Sequence, residues 1–173
     1  EFTELPRGLH TLAGTLFDLR ALLRLEATNY VEQDRANGRA TLASFPLAEV
    51  GNIPVGQRCR QLHFLQAVDG PRVQGGDEVA RWRLHFVDGS VREFPVIYGE
   101  HVSDWWGDSD TNQESRRAVV AWAGKRPAPG ANQGIRLFKS TLENPAPDTE
   151  VSHLDFVLGK VSVRPFVVAI TAE

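Results

Sequence analysis

Apolar and polar residues alternate with a period of two along much of the chain. Between positions 17 and 25, Phe17, Leu19, Ala21, Leu23 and Leu25 are apolar, while Asp18, Arg20 and Arg24 fall between them. Successive side chains of a strand point to opposite faces, so this spacing predicts one buried and one wet face. Leucine is also a good helix former, which leaves a helical reading open. The alternating charges and the preceding Gly14 favour the strand.

A hairpin is the clearest element. Residues 79–87 set Ala80, Trp82, Leu84 and Phe86 against Arg81, Arg83 and His85. Asp88-Gly89 follows, a pair that tolerates the positive φ of a two-residue turn. The return strand, 91–98, places Phe94, Val96 and Tyr98 on one face and Glu93 on the other. Pro95 has no N–H to donate, which predicts an edge strand or a bulge. The pairing brings Arg81 or Arg83 to Glu93, an exposed ion pair worth ~0.2–1 kcal/mol.

Elsewhere the punctuation is turn chemistry. Residues 26–40 are polar, with a turn signal at Asn37-Gly38. Phe45-Pro46 and Ile53-Pro54 predict an extended, irregular segment, because a residue before proline is pushed out of the helical region. Residues 59–67 read as a strand, closed by Asp69-Gly70-Pro71 and Gly75-Gly76-Asp77. A polar loop spans 100–115. Strand signals return at 118–123, with Trp122 read as core, and at 135–142, across a Pro- and Gly-rich loop at 125–134. Asn144-Pro145-Ala146-Pro147 is a stiff turn. Residues 151–158 and 161–171 predict a final hairpin around Gly159-Lys160. About eight short, evenly spaced strands and no long helix predict an all-β antiparallel β-sandwich of jelly-roll type.

Composition narrows the function classes. A net charge of −3 and a pI near 6.0 offer no footprint for a phosphate backbone, so no nucleic-acid partner is expected. The apolar runs are too short for membrane insertion. One cysteine, Cys59, excludes an internal disulfide framework and reads as a small buried hydrophobe. The sequence contains no Met and opens on Glu-Phe, a common cloning-site dipeptide. Residues 1–5 therefore read as a cloning scar and lead-in, and 6–173 as one domain excised from a larger protein. An extracytoplasmic part of a larger bacterial protein is the favoured setting.

Catalytic motifs are missing. No His-Glu-x-x-His, Gly-x-Ser-x-Gly elbow or phosphate-binding glycine loop occurs. His63, His85, His101 and His153 are dispersed, without the closely spaced pair of a cupin. Glycosidase chemistry needs two carboxylates ~5–10 Å apart. Glu93, Glu100, Asp104 and Glu143 are available, but nothing in the sequence brings two together. The expectation is a protein that is not an enzyme.

Several stretches carry a family resemblance: Gly14-Thr15-Leu16-Phe17-Asp18-Leu19-Arg20, Leu62-His63-Phe64-Leu65, Val87-Asp88-Gly89-Ser90, Asp104-Trp105-Trp106, Glu143-Asn144-Pro145-Ala146-Pro147 and residues 167–171. Together, over about 6–172, they resemble the galactose-binding-like jelly-roll modules of large bacterial proteins. The resemblance implies a carbohydrate-binding accessory domain, with aromatic and polar residues on its apical loops. Modules of that kind often hold a structural calcium; from the residues of this chain no cofactor is expected.

Trp105 or Trp106 is the candidate platform for the apolar face of a pyranose, with Asp104, His101 and Tyr98 as hydrogen-bonding partners. Adjacent side chains on extended backbone point opposite ways, so one indole can plug the core while the other faces out. The competing reading packs both indoles under the loop. Asp104, Asp108 and Asp110 are the candidate calcium ligands, against a plain solvated acidic loop. A carbohydrate is the favoured partner; a structural or protein-interaction domain is the alternative.

Overall fold

The computed structural model describes residues 4–26, 31–34, 39–42, 47–70, 73–107, 115–125, 134–161 and 163–173. Among them the chain forms strands and no helix. In chain order the strands are β1 (Gly8–Leu12), β2 (Thr15–Leu19), β3 (Leu23–Arg24), β4 (Val31–Asp34), β5 (Arg39–Leu42), β6 (Glu49–Gln57) and β7 (Gln61–Asp69). They continue as β8 (Glu78–Phe86), β9 (Val91–Ile97), β10 (Ala118–Lys125), β11 (Gly134–Glu143), β12 (Val151–Leu158) and β13 (Arg164–Ala172). A five-stranded sheet, β10-β11-β7-β13-β3, faces a four-stranded one, β6-β12-β8-β9. The pairs β1-β2 and β4-β5 form two-stranded sheets. Every ladder is antiparallel. The fold is an all-β sandwich, as the alternation predicts, and is compatible with a jelly roll.

The β8-β9 hairpin forms at the expected place, but its turn is a three-residue loop, Val87-Asp88-Gly89. The Phe86 N–H donates to Ser90 O and the Gly89 N–H to Phe86 O, both at 3.0 Å. Asp88 does not take the positive φ that a two-residue turn requires. Gly89 takes a φ of 83°, and Asp88 Oδ1 accepts the Ser90 N–H at 2.9 Å. Ala80, Trp82, Leu84 and Phe86 are buried. β9 is the outer strand of its sheet, so the missing N–H of Pro95 leaves no ladder acceptor unserved. Arg81 Nη1 and Arg83 Nε each reach a Glu93 oxygen at 2.8 Å. Those bonds hold the Glu93 carboxyl below the usual carboxylate range, Arg83 contributing most.

β7 is buried on both faces, because apolar layers cover it from two sides. Leu62, Phe64 and Val68 pack towards the four-stranded sheet, in a core with Trp82, Leu84, Leu154 and Phe156. Leu65 and Ala67 belong to a second core with Phe17, Leu19, Phe138 and Trp105. Alternation in β2 explains that layer: Thr15, Phe17 and Leu19 turn inward, while Leu16 and Asp18 face water. Lys139 Nζ ties the hairpin down by donating to Ala13 O at 2.6 Å. Cys59 is buried as expected, and burial pushes its thiol pKa up.

Some expectations give way. Residues 151–171 do not form a hairpin: β12 pairs with β6 and β8, whereas β13 pairs with β7 and β3. The Gly159 N–H donates to Val79 O at 3.0 Å and the Lys160 N–H to Glu78 O at 3.1 Å. These bonds pin the connection against β8 as the chain crosses between sheets. The segment containing Ile53-Pro54 is the edge strand β6 rather than irregular chain; a ladder with bulges accommodates its Gly and Pro. Trp122 is half-buried on the edge strand β10, packed against the second core from its margin. β1, β4 and β5 were not anticipated. The turn signals at Asn37-Gly38 and Phe45-Pro46 lie outside the described residues, as does most of the loop at 125–134.

Candidate ligand cleft

A cleft of about 520 Å3 opens where β9 faces the end of β11. Both sheets contribute to it. Phe94 on β9 pairs across the ladder with Trp82 on β8, and Trp82 stacks on Phe64 of the opposite sheet with ring centroids 4.3 Å apart. Alternation aims all three rings inward, and with Trp82 and Phe64 each 1% exposed, Phe94 is the ring that the cleft lays open. Phe94, on an outer strand, is only half-buried.

The polar side comes from β7, β11 and the turn after β9. Gln66 and Ser140 are buried, and Gln66 Nε2 donates to Ser140 Oγ at 2.8 Å. Accepting that bond leaves Ser140 its own hydroxyl hydrogen to donate. Gln66 Nε2 also lies 3.4 Å from the His101 carbonyl, tying floor to turn. Arg117 and Glu143 stand at the cleft's margin, and Glu143 Oε1 accepts from Gln61 Nε2 at 2.7 Å.

His101 is fixed in one tautomer. Its Nδ1 lies 3.0 Å from the Ile97 N–H and must accept from it, so the neutral ring carries its hydrogen on Nε2. Burial lowers its pKa below the ordinary histidine value, and Arg117 adds to the effect against an opposing pull from Glu100. The sign of the pH dependence follows. An unfolded histidine titrates near pH ~6.5, and the folded one titrates lower, so the unfolded chain binds more protons in between. Stability from His101 is full above ~6.5 and is lost as pH falls towards the folded pKa. Melting temperatures between pH 8 and 5 are expected to fall more steeply for the wild type than for His101→Gln. Parallel curves would contradict the assignment.

The five residues expected to bind ligand are not gathered at one point. His101 lines the cleft. Tyr98 and Asp104 line a separate cavity of about 410 Å3 beside Val68 and Gln74. Trp105 is 3% exposed and belongs to the second core, its ring 4.1 Å from that of Trp106 and 6.0 Å from that of Phe166. The platform expected at Trp105 is thus a core side chain. Its burial has a backbone cause: the Trp105 N–H donates to Val68 O, and its carbonyl accepts from Arg136 N–H, which stitches the loop to β7 and β11. Trp106 is half-buried against the same cluster.

Asp104 Oδ1 accepts the Trp106 N–H at 2.9 Å, a local turn. Burial pushes the Asp104 carboxyl above its usual range, the Trp106 N–H opposes this, and Asp69 adds to the rise. Asp108 and Asp110, the other expected calcium ligands, lie outside the described residues.

Phe94, Gln66, Ser140 and Arg117 escaped sequence reasoning. Phe94 was assigned to a buried face, but nothing local marks β9 and β11 as the two lips of an opening. The opposite open side of the sandwich holds a groove of about 460 Å3 lined by Ile53, Val55, Leu154 and residues 167–170, without an aromatic side chain. Of these two open sides, the β9/β11 side combines aromatic rings with buried polar groups. Comparison with protein-family models, characterised proteins and solved structures finds no match.

Proposed function

We propose that the chain is a non-catalytic ligand-binding module that seats a carbohydrate in the β9/β11 cleft, on a sandwich of the galactose-binding-like jelly-roll kind. One observation carries the reading: the half-buried Phe94 ring, backed by the core rings of Trp82 and Phe64, lines the same cleft as Gln66, His101 and Ser140. A pyranose presents an apolar C–H face and hydroxyl edges, so it suits an aromatic surface flanked by fixed donors and acceptors. The neutral His101 offers an Nε2–H, and Ser140 a hydroxyl. Arg117 and Glu143 add charged partners, whose hydrogen bonds are stronger than neutral ones. A shallow cleft binds weakly on its own, and repetition or tethering raises the effective concentration.

Calorimetric titration of the chain against a broad panel of soluble oligosaccharides tests this. At least one is expected to bind, and Phe94→Ala to weaken it by about tenfold. Trp106→Ala, outside the cleft, is expected to leave it unchanged. Failure across the panel would overturn the carbohydrate reading in favour of a structural or protein-docking role. The exposed Val119 and Val120 on the edge strand β10 would then be the surface to examine.

A further inference from the structure

The face of the four-stranded sheet that points away from the core carries a group of different chemistry. His85 on β8 and His153 on β12 are ladder partners. Their rings stack with centroids 4.2 Å apart and planes 10° from parallel. Asp155, two residues further along β12, brings Oδ2 to 2.7 Å from His85 Nε2. One potential donor atom from each of the three lies within 4.8 Å of the other two.

The backbone is shaped around them. Ser152 is an extra residue on β12, inserted between Val151 and His153 where β8 runs straight from Phe86 to His85. Ser152 Oγ lies 3.1 Å from His153 Nδ1, which leaves Nε2 as that ring's ligand atom. On β6 the register steps from Ile53 opposite Leu154 to Val50 opposite Phe156, with Asn52 at a φ of 58°. The step hands the Asn52 N–H to Asp155 Oδ1 at 3.0 Å, leaving Oδ2 towards the histidines. Gly51 gives the carboxylate room, since a Cβ there would stand 3.1 Å from Oδ1. Bulges re-aim side chains, and left-handed backbone at a non-glycine residue collects at functional sites. Two bulges and one such residue converge on this trio. Arg83, the ladder partner of Asp155, directs its guanidinium to Glu93 and Glu49 at 2.8 and 3.5 Å.

We propose that His85, His153 and Asp155 form a binding site for a borderline divalent transition-metal ion of the Zn2+ kind. Two imidazoles and a carboxylate match that ion, and three protein ligands leave a fourth position open to water or a further ligand. Metal–ligand bonds of ~2.0–2.2 Å separate tetrahedral donors by roughly 3.3 Å. The His85–Asp155 contact therefore opens slightly, and His85 Nε2 gives up its hydrogen to solvent or to Nδ1. An imidazole lone pair lies in the ring plane, so one ring turns out of the stack to share the ion. The Asn52 and Ser152 contacts are of the kind that orient metal ligands and tune their basicity. The site lies on the outer sheet face, away from the cleft, and stands whether or not a saccharide binds there.

Zn2+ alone, titrated calorimetrically into the full chain, tests the proposal. Binding at one ion per chain is expected, with His153→Ala weaker by more than about 100-fold and Ser152→Ala weaker by roughly tenfold. His10→Ala, remote from the site, is expected to change nothing. The histidine ring resonances of the unaltered chain give a readout that no variant's folding can confound: those of His85 and His153 are expected to move and those of His63 and His101 to stay. Absence of Zn2+ binding, binding that survives the double change His85→Ala with His153→Ala, or shifts confined to other histidines would overturn it.

Discussion

Trp82→Ala is expected to destabilise the fold by about 3–5 kcal/mol, the largest single-residue loss in the first core. The indole is 1% exposed and stacks between Phe64 and Phe156, at centroid distances of 4.3 and 4.4 Å. It joins three strands at once: Phe94 and Phe156 are its ladder partners on either side, and Phe64 faces it from the other sheet. Truncation leaves a void that two rigid rings cannot fill. For a chain of this length such a loss lowers the melting temperature by about 10 °C. Trp82→Phe is expected to cost far less, since it keeps a ring in the stack. It also removes a buried indole N–H that has no hydrogen-bond partner among the described residues. Val119→Thr, on the exposed edge strand β10, is expected to stay within about 0.5 kcal/mol. Equal denaturation midpoints for the three variants would contradict the packing described.

Gly159→Ala is the second large effect, at about 3 kcal/mol. A Cβ at Gly159 would overlap the Glu78 carbonyl oxygen and the Val79 carbonyl carbon. Those are backbone atoms of β8, so no side-chain rotation relieves the clash. The turn must lift, loosening the bonds from Gly159 and Lys160 that guide the chain from one sheet to the other. Gly75→Ala is the internal comparison: a Cβ there meets nothing within 4 Å. It is expected to be neutral or stabilising by up to ~1 kcal/mol, through the entropy of the unfolded chain. Chemical denaturation of both variants checks the contrast, and equal midpoints would refute the close approach.

Local chemistry made much of the fold legible. The β8-β9 hairpin, its Arg–Glu93 pairs and the edge position of Pro95 follow from neighbours fewer than twenty positions apart. The inward face of β2 follows from alternation alone. Choices made by distant segments were not legible. Gly159-Lys160 carries the signature of a hairpin turn, yet β12 and β13 find better partners in β8 and β7. Sequential strands usually pair, and a sandwich breaks that habit wherever the chain changes sheets. β7 is another case: its apolar residues on both faces imply two covering layers, but nothing local pairs residues 15–19 with Gly8–Leu12 into the β1-β2 hairpin that supplies one of them.

The sites show the same division. Burial of the large aromatic Trp105 agrees with the general bias of such residues, while Trp106 beside it is only half-buried. What placed it there is a pair of backbone hydrogen bonds to β7 and β11, which no local pattern announces. His101 was singled out for its loop and does line a cleft, beside Phe94, Gln66 and Ser140 rather than the tryptophans. His85 and His153 are 68 positions apart and looked dispersed. The ladder between β8 and β12 makes them neighbours, and the nearby Asp155 lies on the same face only because the strand alternates.

The most direct test of the cleft as the ligand site is amide and side-chain NMR of the isotopically labelled chain, titrated with the oligosaccharides of the panel. A saccharide that binds is expected to shift Phe94, His101, Ser140 and the Gln66 side-chain amide. Resonances of the Trp105-Trp106 loop and of residues 167–170 are expected to stay in place. Shifts centred on either of those regions, or none with any saccharide at millimolar concentration, would contradict the account.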